Sequence, residues 1–392
     1  MPVLNRISAF HADMTAWRRD LHQHPELALQ ETRTSAMVQQ KLAEFGVDEV
    51  VTGLAQTGVV GVIRGQGEGG SIGLRADMDA LPIEEATGLP YASENPGVMH
   101  ACGHDGHTTM LLGAARYLAE TRNFSGTVYV IFQPAEERHG GGGIMVREGL
   151  FERCPVDHVF GMHNWPTHRQ GEFMWRVGPV MAAVATIDIT VRGRGAHGAW
   201  PHAGIDPIVV AAHIVTALQS IVSRNVNPQD SAVVTIGHIG GGHAHNVIPE
   251  SVQMMGTARW FSPAVGDLLE HSVRRIAENT AAAFGATAEV AFTRTYPATV
   301  NDEAATALAR RAAEAVAGPA RVSHMDVPTM GGEDFSFMLN ARPGSYIMLG
   351  GGRTDSDPGV HHPKYDFNDD ILPVGASYWA TLVEQVLPRG RK

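Results

Sequence analysis

The first part of the chain alternates short apolar runs with polar residues and helical stretches. Residues 57–63, 71–76, 126–132 and 157–162 are short runs rich in β-branched and aromatic residues, which is typical of buried strands. Polar residues follow each of the last three runs directly. Repeated strand, polar segment and helix predict an α/β layer with a mixed, largely parallel sheet and helices on both faces. The helices predicted here cover 7–23, 31–45 and the run that begins at Met110.

The middle of the chain has a different pattern. Residues 186–192 alternate strictly between apolar and polar, which is typical of a strand with one solvated face. The elements predicted after it are a helix at 205–224, strands at 232–238 and 251–260, a helix at 264–284 and a strand at 287–293. The order β-α-β-β-α-β is that of a ferredoxin-like α+β unit. We therefore predict that residues 181–293 form a domain inserted into a catalytic domain made of 1–180 and 294–392, which ends with helices at 302–317, 333–341 and 374–386 and a strand at 345–349.

Length, composition and charge exclude several classes of protein and of partner. A chain of 392 residues exceeds the size at which one core usually stops growing, which agrees with two domains. The net charge of −11 and the lack of a long basic run argue against nucleic acid or an anionic membrane as partner. Two cysteines exclude a disulfide framework. The N-terminus does not resemble a signal peptide, and no run has the roughly 18 consecutive apolar residues of a membrane helix, so we expect a cytoplasmic protein.

The densest group of chemically active side chains lies between Val98 and His107. His100, Cys102, His104, Asp105 and His107 fall within eight residues, just before the apolar run of the predicted helix. Thiolate, imidazole and carboxylate groups bind cations such as Zn²⁺, Mn²⁺, Co²⁺ and Ni²⁺. The spacing predicts a ligand loop that opens a helix, with Asp105 as its N-cap.

A metal site needs further ligands, and the predicted strand ends supply them. The candidates are Glu136 and Glu137, His163, and either His361 or His362. In an α/β sheet, sites collect beyond the carboxyl ends of the strands, so these side chains could meet. Paired glutamates allow one carboxylate to bind metal while its neighbour acts as a general base. A pair of glutamates is also common in solvated loops.

Cys102 has two other interpretations. It could be a small buried side chain with no chemical role. It could also be a nucleophile activated by a nearby histidine. The second interpretation leaves Glu136, Glu137, His163 and His361 without a role.

Seven stretches together resemble the M20 metallopeptidases, in the branch of N-acyl-amino-acid amidohydrolases that includes hippurate hydrolases and auxin-conjugate hydrolases. The resemblance covers essentially the whole chain. Each stretch is weak or moderate alone, but seven in the same order are specific. The stretches are Trp17–Glu26, Leu74–Pro82, His100–His107, Phe132–Glu137, Gly161–Pro166, Gly331–Phe335 and His361–Asp369.

The resemblance implies two divalent metal ions per subunit, with Zn, Mn, Co and Ni equally compatible with the ligands. The Cys102 thiolate would bridge the two ions. His104 and His163 would complete one site, and Glu137 and His361 the other. His362 would then be a neighbour rather than a ligand.

The same resemblance assigns roles to the carboxylates nearby. Glu136 would be the general base, and Asp79 would orient a metal ligand. Where the wider family has a histidine and an aspartate, this chain has Asp77 and Cys102. Because of that departure, Asp77 is not carried over as a ligand.

In the predicted inserted domain the resemblance points to substrate contacts. His197 would meet the oxyanion of the reaction, in its own subunit or in a partner's site. Asn246 and Arg259 would bind the substrate carboxylate, although Arg259 could equally be a surface residue at a strand end. Gly332, at the start of the helix predicted at 333–341, would offer a backbone N–H to an anion. The resemblance also implies a homodimer or homotetramer formed through the inserted domain.

These expectations describe a metal-dependent amidohydrolase that cleaves small N-acyl-amino acids into a carboxylic acid and a free amino acid. Within the same family, a dipeptidase or an N-acetyl-diaminopimelate deacetylase is the alternative. A protein that binds metal and ligand without catalysis is a remote alternative, and an intact Glu136 argues against it.

Overall fold

The computed structural model describes residues 3–390, and the chain divides into two compact units. The first unit contains the chain up to Val180, Thr299–Val327 and the part from Asp334 onward. The second contains Met181–Ala298 and Pro328–Glu333. The second unit therefore extends beyond the predicted residue 293, because its last strand pairs as far as Tyr296. It also includes the short segment before Asp334, where the Ala182 N–H donates to the Gly331 carbonyl.

The helices and strands follow in this order along the described chain: α1 (Asn5–Ser8), α2 (His11–Gln23), α3 (Thr32–Phe45), β1 (Glu49–Leu54), β2 (Gly58–Arg64), β3 (Ser71–Asp77), α4 (His104–Thr121), β4 (Thr127–Gln133), α5 (Gly141–Arg147), α6 (Leu150–Arg153), β5 (His158–Arg169), β6 (Phe173–Trp175), β7 (Gly178–Met181), β8 (Ala183–Arg192), β9 (Ala196–His197), α7 (Pro207–Ser220), β10 (Ala232–Gly240), β11 (Val247–Ile248), β12 (Ser251–Trp260), α8 (Pro263–Ala283), β13 (Thr287–Tyr296), β14 (Thr299–Asn301), α9 (Glu303–Ala317), β15 (Val322–His324), α10 (Ser336–Ala341), β16 (Gly344–Gly352) and α11 (Leu372–Val386).

The first unit is built on an eight-stranded sheet in the order β1-β2-β4-β3-β5-β16-β6-β15. Its centre, β4-β3-β5-β16, is parallel, and antiparallel pairs lie toward both sides. Strands β2, β3 and β4 are almost continuously buried, as expected when both faces of a sheet are covered. Helix α4 packs against α2, α3 and α11. The prediction of a mixed α/β fold with a largely parallel sheet is confirmed.

The second unit has a four-stranded antiparallel sheet in the order β10-β12-β8-β13. Along the chain its main elements are β8, α7, β10, β12, α8 and β13, which confirms the ferredoxin-like prediction. In β8 the apolar residues Ile187, Ile189 and Val191 are buried while the residues between them are more exposed. Helices α7 and α8 pack on each other and on strands of this sheet.

Helix α7 begins at Pro207, and the Asp206 carboxylate caps it by accepting from the Ile208 N–H. With a π-helical extension it forms Pro207–Asn225, which is long and apolar enough to cross a membrane by length and composition. Polar residues such as His213 and Gln219 interrupt this helix, so it is not the uninterrupted apolar run that the sequence was searched for. Val210, Ile214 and Leu218 of this helix are buried in the core of the second unit.

Two predicted helix starts differ from the structure. Helix α4 begins at His104, and its N-cap residue is Gly103 in a left-handed conformation with φ +89°, so Asp105 is not the cap. Glycine adopts that conformation without a steric penalty. Helix α10 begins at Ser336 rather than at residue 333.

Candidate metal centre

The carboxyl edge of the parallel strands carries most of the predicted site. Asp79 follows β3, Glu136 and Glu137 follow β4, and His104 opens α4. His163 was expected just after a strand, but β5 continues through it to Arg169 because β16 extends its partner, with Met348 opposite His163. Strand β3 pairs with β5 as far as Arg75 and Gly161, so His163 lies level with Asp77 at the carboxyl end of β3.

The predicted ligands form two clusters that share one atom. The ligand atoms of Cys102, His104 and His163 all lie within 4.8 Å of one another, and so do those of Cys102, Glu137 and His361. The Cys102 Sγ is 3.4 Å from His163 Nε2, and Glu137 Oε1 is 3.1 Å from His361 Nε2. Two ligand atoms on one tetrahedral zinc ion lie roughly 3.3–3.6 Å apart, given bonds of about 2.0–2.3 Å. Both pairs are close to that spacing.

The imidazoles of two predicted ligands are oriented by their outer nitrogens. His104 Nδ1 lies 2.9 Å from the Asp79 carbonyl and 3.2 Å from Asp79 Oδ1, and His163 Nδ1 lies 2.6 Å from the Asn164 carbonyl. Because only acceptors face each Nδ1, that nitrogen carries the proton. With Nδ1 protonated, Nε2 is the nitrogen that faces the cluster and that carries the lone pair in the neutral ring, which is the arrangement that metal-binding histidines adopt.

The donor set fits divalent cations on two further observations. His104 Nε2 is a buried atom that makes no hydrogen bond. A buried polar atom without a partner is unfavourable, and a cation would satisfy it. Burial and the Glu137 and Glu136 carboxylates raise the pKa of Cys102 well above its usual range. A cation has the opposite effect on a thiol, so cation binding would favour the thiolate.

The surrounding potential is negative. Burial acts to lower the pKa of His104, but the carboxylates of Asp77 and Asp79 raise it to about 10. At His163, burial lowers the pKa well below its usual range, assisted by the charge of His107. The cluster thus combines a neutral imidazole with a strongly negative surrounding, which favours a positive ion.

The structure distinguishes the two C-terminal histidines. His361 belongs to the cluster with Cys102 and Glu137, while the exposed His362 uses Nδ1 to accept the Lys364 N–H. His361 has φ +64°, which is uncommon for a residue with a Cβ. Its backbone N–H donates to the Ala101 carbonyl at 2.7 Å. An unfavourable backbone conformation maintained in this way is typical of functional positions.

Asp79 connects the two clusters. Its Oδ1 faces His104 Nδ1, and its Oδ2 accepts the Glu137 N–H at 2.9 Å. The side chain of Glu136 is buried and accepts the Asp334 N–H at 3.4 Å. His104, Glu136 and Glu137 also form a cluster by the same distance criterion, so Glu136 lies beside the predicted ligands.

Several buried polar residues around the site were missed by sequence reasoning. The Asn164 amide donates to the Cys102 carbonyl at 2.7 Å and accepts from the Tyr365 hydroxyl at 2.7 Å. Arg75 pairs with Asp77 at 2.7 Å and with Asp334 at 3.1 Å inside the first unit. The sequence feature that could have revealed Arg75 is its charge, because the residues on either side of it in β3 are apolar.

The carboxylate of Asp77 is paired with His107 and Arg75. Its Oδ1 lies 2.6 Å from His107 Nδ1, and its Oδ2 accepts from Arg75. His107 Nε2 in turn accepts the Asn164 backbone N–H at 2.9 Å. Asp77, His104 and His107 also satisfy the distance criterion for a metal, but both oxygens of Asp77 already have partners. These contacts agree with the expectation that Asp77 is not a ligand.

The candidate substrate-binding residues of the second unit form two pairs. His197 is exposed on β9, and the N–H of the next residue, Gly198, donates to the Asn246 carbonyl at 2.7 Å. Arg259 is half-buried, donates to the Thr257 hydroxyl at 3.0 Å, and burial lowers its pKa. A Cβ added to Gly332 would lie 3.4 Å from the Arg259 guanidinium, so these two are neighbours.

Gly332 does not begin a helix, and its expected role at a helix N-terminus was wrong. Residues 331–333 are irregular, and α10 starts only at Ser336. The Asp334 N–H donates to Glu136, and the Phe337 N–H donates to the Asp334 carbonyl, so the chain makes a turn before the helix.

Comparison with known proteins identifies the family. The profile of peptidase family M20/M25/M40 matches residues 73–385. The chain belongs to this family. Membership confirms the predicted resemblance to M20 and the prediction of a hydrolase that acts on amide bonds.

Relatives within the M20 family share nearly the whole chain. It is 42% identical over 375 residues to the N-acetyl-L-cysteine deacetylase of Bacillus subtilis (strain 168), covering 95% of this chain and 88% of that protein. It is 41% identical over 387 residues to the hippurate hydrolase of Campylobacter jejuni, covering 99% and 100%. A Bacillus subtilis structure described as a dinuclear metal-binding peptidase of this family aligns with a TM-score of 0.83 at 36% identity, covering 97% of this chain and 99% of that one.

Proposed function

We propose that this protein hydrolyses the amide bond of N-acyl-amino acids and uses two divalent metal ions. The observation that carries the proposal is the pair of clusters that share Cys102. Two relatives at about 40% identity are named for hydrolysis of N-acyl-amino acids, one with an acetyl and one with a benzoyl group. A related structure is described as dinuclear. The common chemistry is an acyl group joined to the nitrogen of an amino acid.

His104 and His163 would bind one ion, Glu137 and His361 the other, with the Cys102 sulfur between them. When bound, the ions would act as Lewis acids toward the substrate carbonyl and toward water. The ligand set does not select among Zn, Mn, Co and Ni.

Glu136 would accept a proton from the attacking water and deliver it to the departing amine. Its position supports this role, because it is buried beside Glu137 yet has no place in either ligand triad with Cys102. Asp79 would orient the ligands through its contacts with His104 and Glu137. From the second unit, His197 would stabilise the oxyanion, and Asn246 and Arg259 would bind the substrate carboxylate.

The substitution Glu136→Gln tests the assignment. Gln keeps the size of the side chain but cannot accept the proton, so we expect unchanged metal content and a loss of turnover by at least a hundred-fold. The assay combines metal analysis with release of free amino acid from N-acetyl-L-cysteine and from N-benzoylglycine. A variant that keeps near-normal turnover would show that Glu136 is not the base.

A substrate panel separates the alternatives. Dipeptides and N-acetyl-diaminopimelate would be cleaved faster than N-acetyl or N-benzoyl amino acids by a dipeptidase or a diaminopimelate deacetylase, respectively. A protein that binds two metals and releases no amino acid from any of them would be the non-catalytic alternative.

A further inference from the structure

The buried carboxylate of Glu31 lies behind the loop that carries Glu136 and Glu137. Glu31 has no exposed surface, and it immediately precedes α3. Its Oε1 accepts the Ala135 N–H at 2.9 Å, and its Oε2 accepts from the Thr57 hydroxyl at 2.8 Å. None of the roles assigned above uses this residue. A fully buried carboxylate is unfavourable unless its hydrogen bonds are satisfied, so its contacts indicate a specific function.

Ala135 is the residue that Glu31 contacts, and its backbone is unusual. Its φ is +58°, in the left-handed region that residues with a Cβ rarely adopt. The conformation turns the chain directly after β4, and the Gly141 N–H closes the turn by donating to the Ala135 carbonyl at 3.0 Å. The two residues that follow the turn are Glu136 and Glu137. The direction in which those side chains leave the sheet therefore depends on Ala135.

The other oxygen of Glu31 connects this turn to a second one. Thr57 ends the tight turn between β1 and β2, where Ala55 and Gln56 have φ of +45° and +66°. Outside that turn, the exposed Glu148 accepts the Ala55 N–H at 2.6 Å. Two left-handed segments thus meet at one buried carboxylate, while Glu148 supports only the β1–β2 turn.

We propose that Glu31 is a positioning residue for the Glu136–Glu137 pair, acting by holding Ala135 in its left-handed conformation. It touches no substrate and no metal ligand. Its hydrogen bond to the Ala135 N–H fixes the backbone from which the proposed base and one proposed ligand project. The inference rests on the proposed function for the role of Glu136, but the position of Glu137 can be tested by metal binding alone.

The test compares two substitutions of similar volume. Glu31→Gln keeps a carbonyl oxygen that can accept the Ala135 N–H, whereas Glu31→Met fills the space and accepts nothing. Metal-free full-length protein is titrated with Co²⁺, and both the number of ions bound and the thiolate-to-cobalt absorption from Cys102 are followed. Turnover of N-acetyl-L-cysteine and N-benzoylglycine is measured on the same samples.

For the Met variant we expect an unchanged thiolate absorption and a second Co²⁺ bound about ten- to a hundred-fold more weakly, because Glu137 serves one ion only. Its kcat should fall by a similar factor, with little change in KM. Glu31→Gln should stay close to the unaltered protein in all three measurements. Glu148→Ala is the matched control: it removes a carboxylate from the β1–β2 turn and should leave cobalt binding unchanged.

A suppressor adds a second, independent measurement. Glycine accepts positive φ without a steric penalty, so Ala135→Gly combined with Glu31→Met should recover part of the lost cobalt affinity. If Glu31→Met does not fold, Glu31→Asp, which withdraws the carboxylate by one methylene, should show the same losses to a smaller degree.

Equal cobalt binding and kcat in the Met variant and the unaltered protein would overturn the proposal, as would a Gln variant as impaired as the Met variant. Unaltered protein that binds two Co²⁺ but hydrolyses no N-acyl-amino acid would refute the proposed function, while the cobalt titrations would still decide the role of Glu31. Unaltered protein that binds fewer than two Co²⁺ would overturn both.

Discussion

Replacing Glu31 by Gln should stabilise the metal-free protein at alkaline pH and slightly destabilise it at acidic pH. Burial, together with the nearby Asp79 carboxylate, raises the pKa of Glu31 to about 7. The ordinary pKa of a glutamate, taken for the unfolded chain, is 4.5. Between these two values the folded state binds more protons than the unfolded state, so ionisation of Glu31 lowers stability as pH rises.

The magnitude follows from the difference between the two pKa values. A difference of roughly 2.5 units, at 1.36 kcal/mol per unit, corresponds to about 3 kcal/mol of destabilisation above pH 7. Gln does not ionise and avoids this loss, although it weakens one hydrogen bond, which offsets about 1 kcal/mol at every pH. The net gain for Glu31→Gln should therefore be about 2 kcal/mol at pH 8 and should become slightly negative near pH 4.

Thermal unfolding of both metal-free proteins at pH 4.5 and pH 8, at constant ionic strength, measures the difference. A gain of about 2 kcal/mol corresponds to roughly 4–8 °C in Tm for a domain of this size. Contributions of other titrating groups cancel in the comparison as long as they lie apart from residue 31. A Tm difference that is the same at both pH values would refute the reasoning, because it would show that Glu31 has an ordinary pKa.

Three further predictions concern the same unit. For His22, burial lowers the pKa but hydrogen bonds to Asp105 and Glu85 raise it to about 9, so its stabilisation is complete below the unfolded pKa and is lost as pH rises through 9. His22→Gln should therefore lower Tm more at pH 6 than at pH 10, and an equal loss at both would contradict the ion pair. Asp79→Asn should weaken metal binding about ten- to a hundred-fold in a metal titration, because an amide nitrogen cannot accept the Glu137 N–H. Removing metal with a chelator should lower Tm and abolish turnover, and adding Zn²⁺, Mn²⁺, Co²⁺ or Ni²⁺ back should restore both, since a ligand at a thousand times its Kd stabilises by about 4 kcal/mol.

The long periodic segments made most of the fold predictable from sequence. Strands such as β8 and helices such as α8 have a clear two- or 3.6-residue pattern because one face packs on a core. Strands β1, β6 and β7 were missed, since six residues or fewer with mixed burial carry little periodicity. The start of α10 was misplaced because residues 331–333 are irregular and the turn before the helix depends on a tertiary contact, the Asp334 N–H to Glu136.

The candidate ligands were predictable because thiol, imidazole and carboxylate groups followed strands in a recognisable order. The residues that hold these ligands in place could not be predicted in this way. Glu31 and Asn164 have ordinary positions in the sequence, and their roles depend on partners 104 and 62 residues away. Periodicity and composition describe the environment of a side chain but do not identify a distant partner.

The sulfur of Cys102 belongs to both ligand clusters, and this has a consequence for chemical damage. Oxidation to a sulfinic acid is not reversed by thiols, and in one event it would alter the candidate ligand that the two proposed sites share. Without a cation, burial and the raised pKa keep this side chain a protonated thiol, which resists oxidation because the reactive form is the thiolate. The surroundings that disfavour the thiolate would therefore also preserve the sulfur until a cation binds.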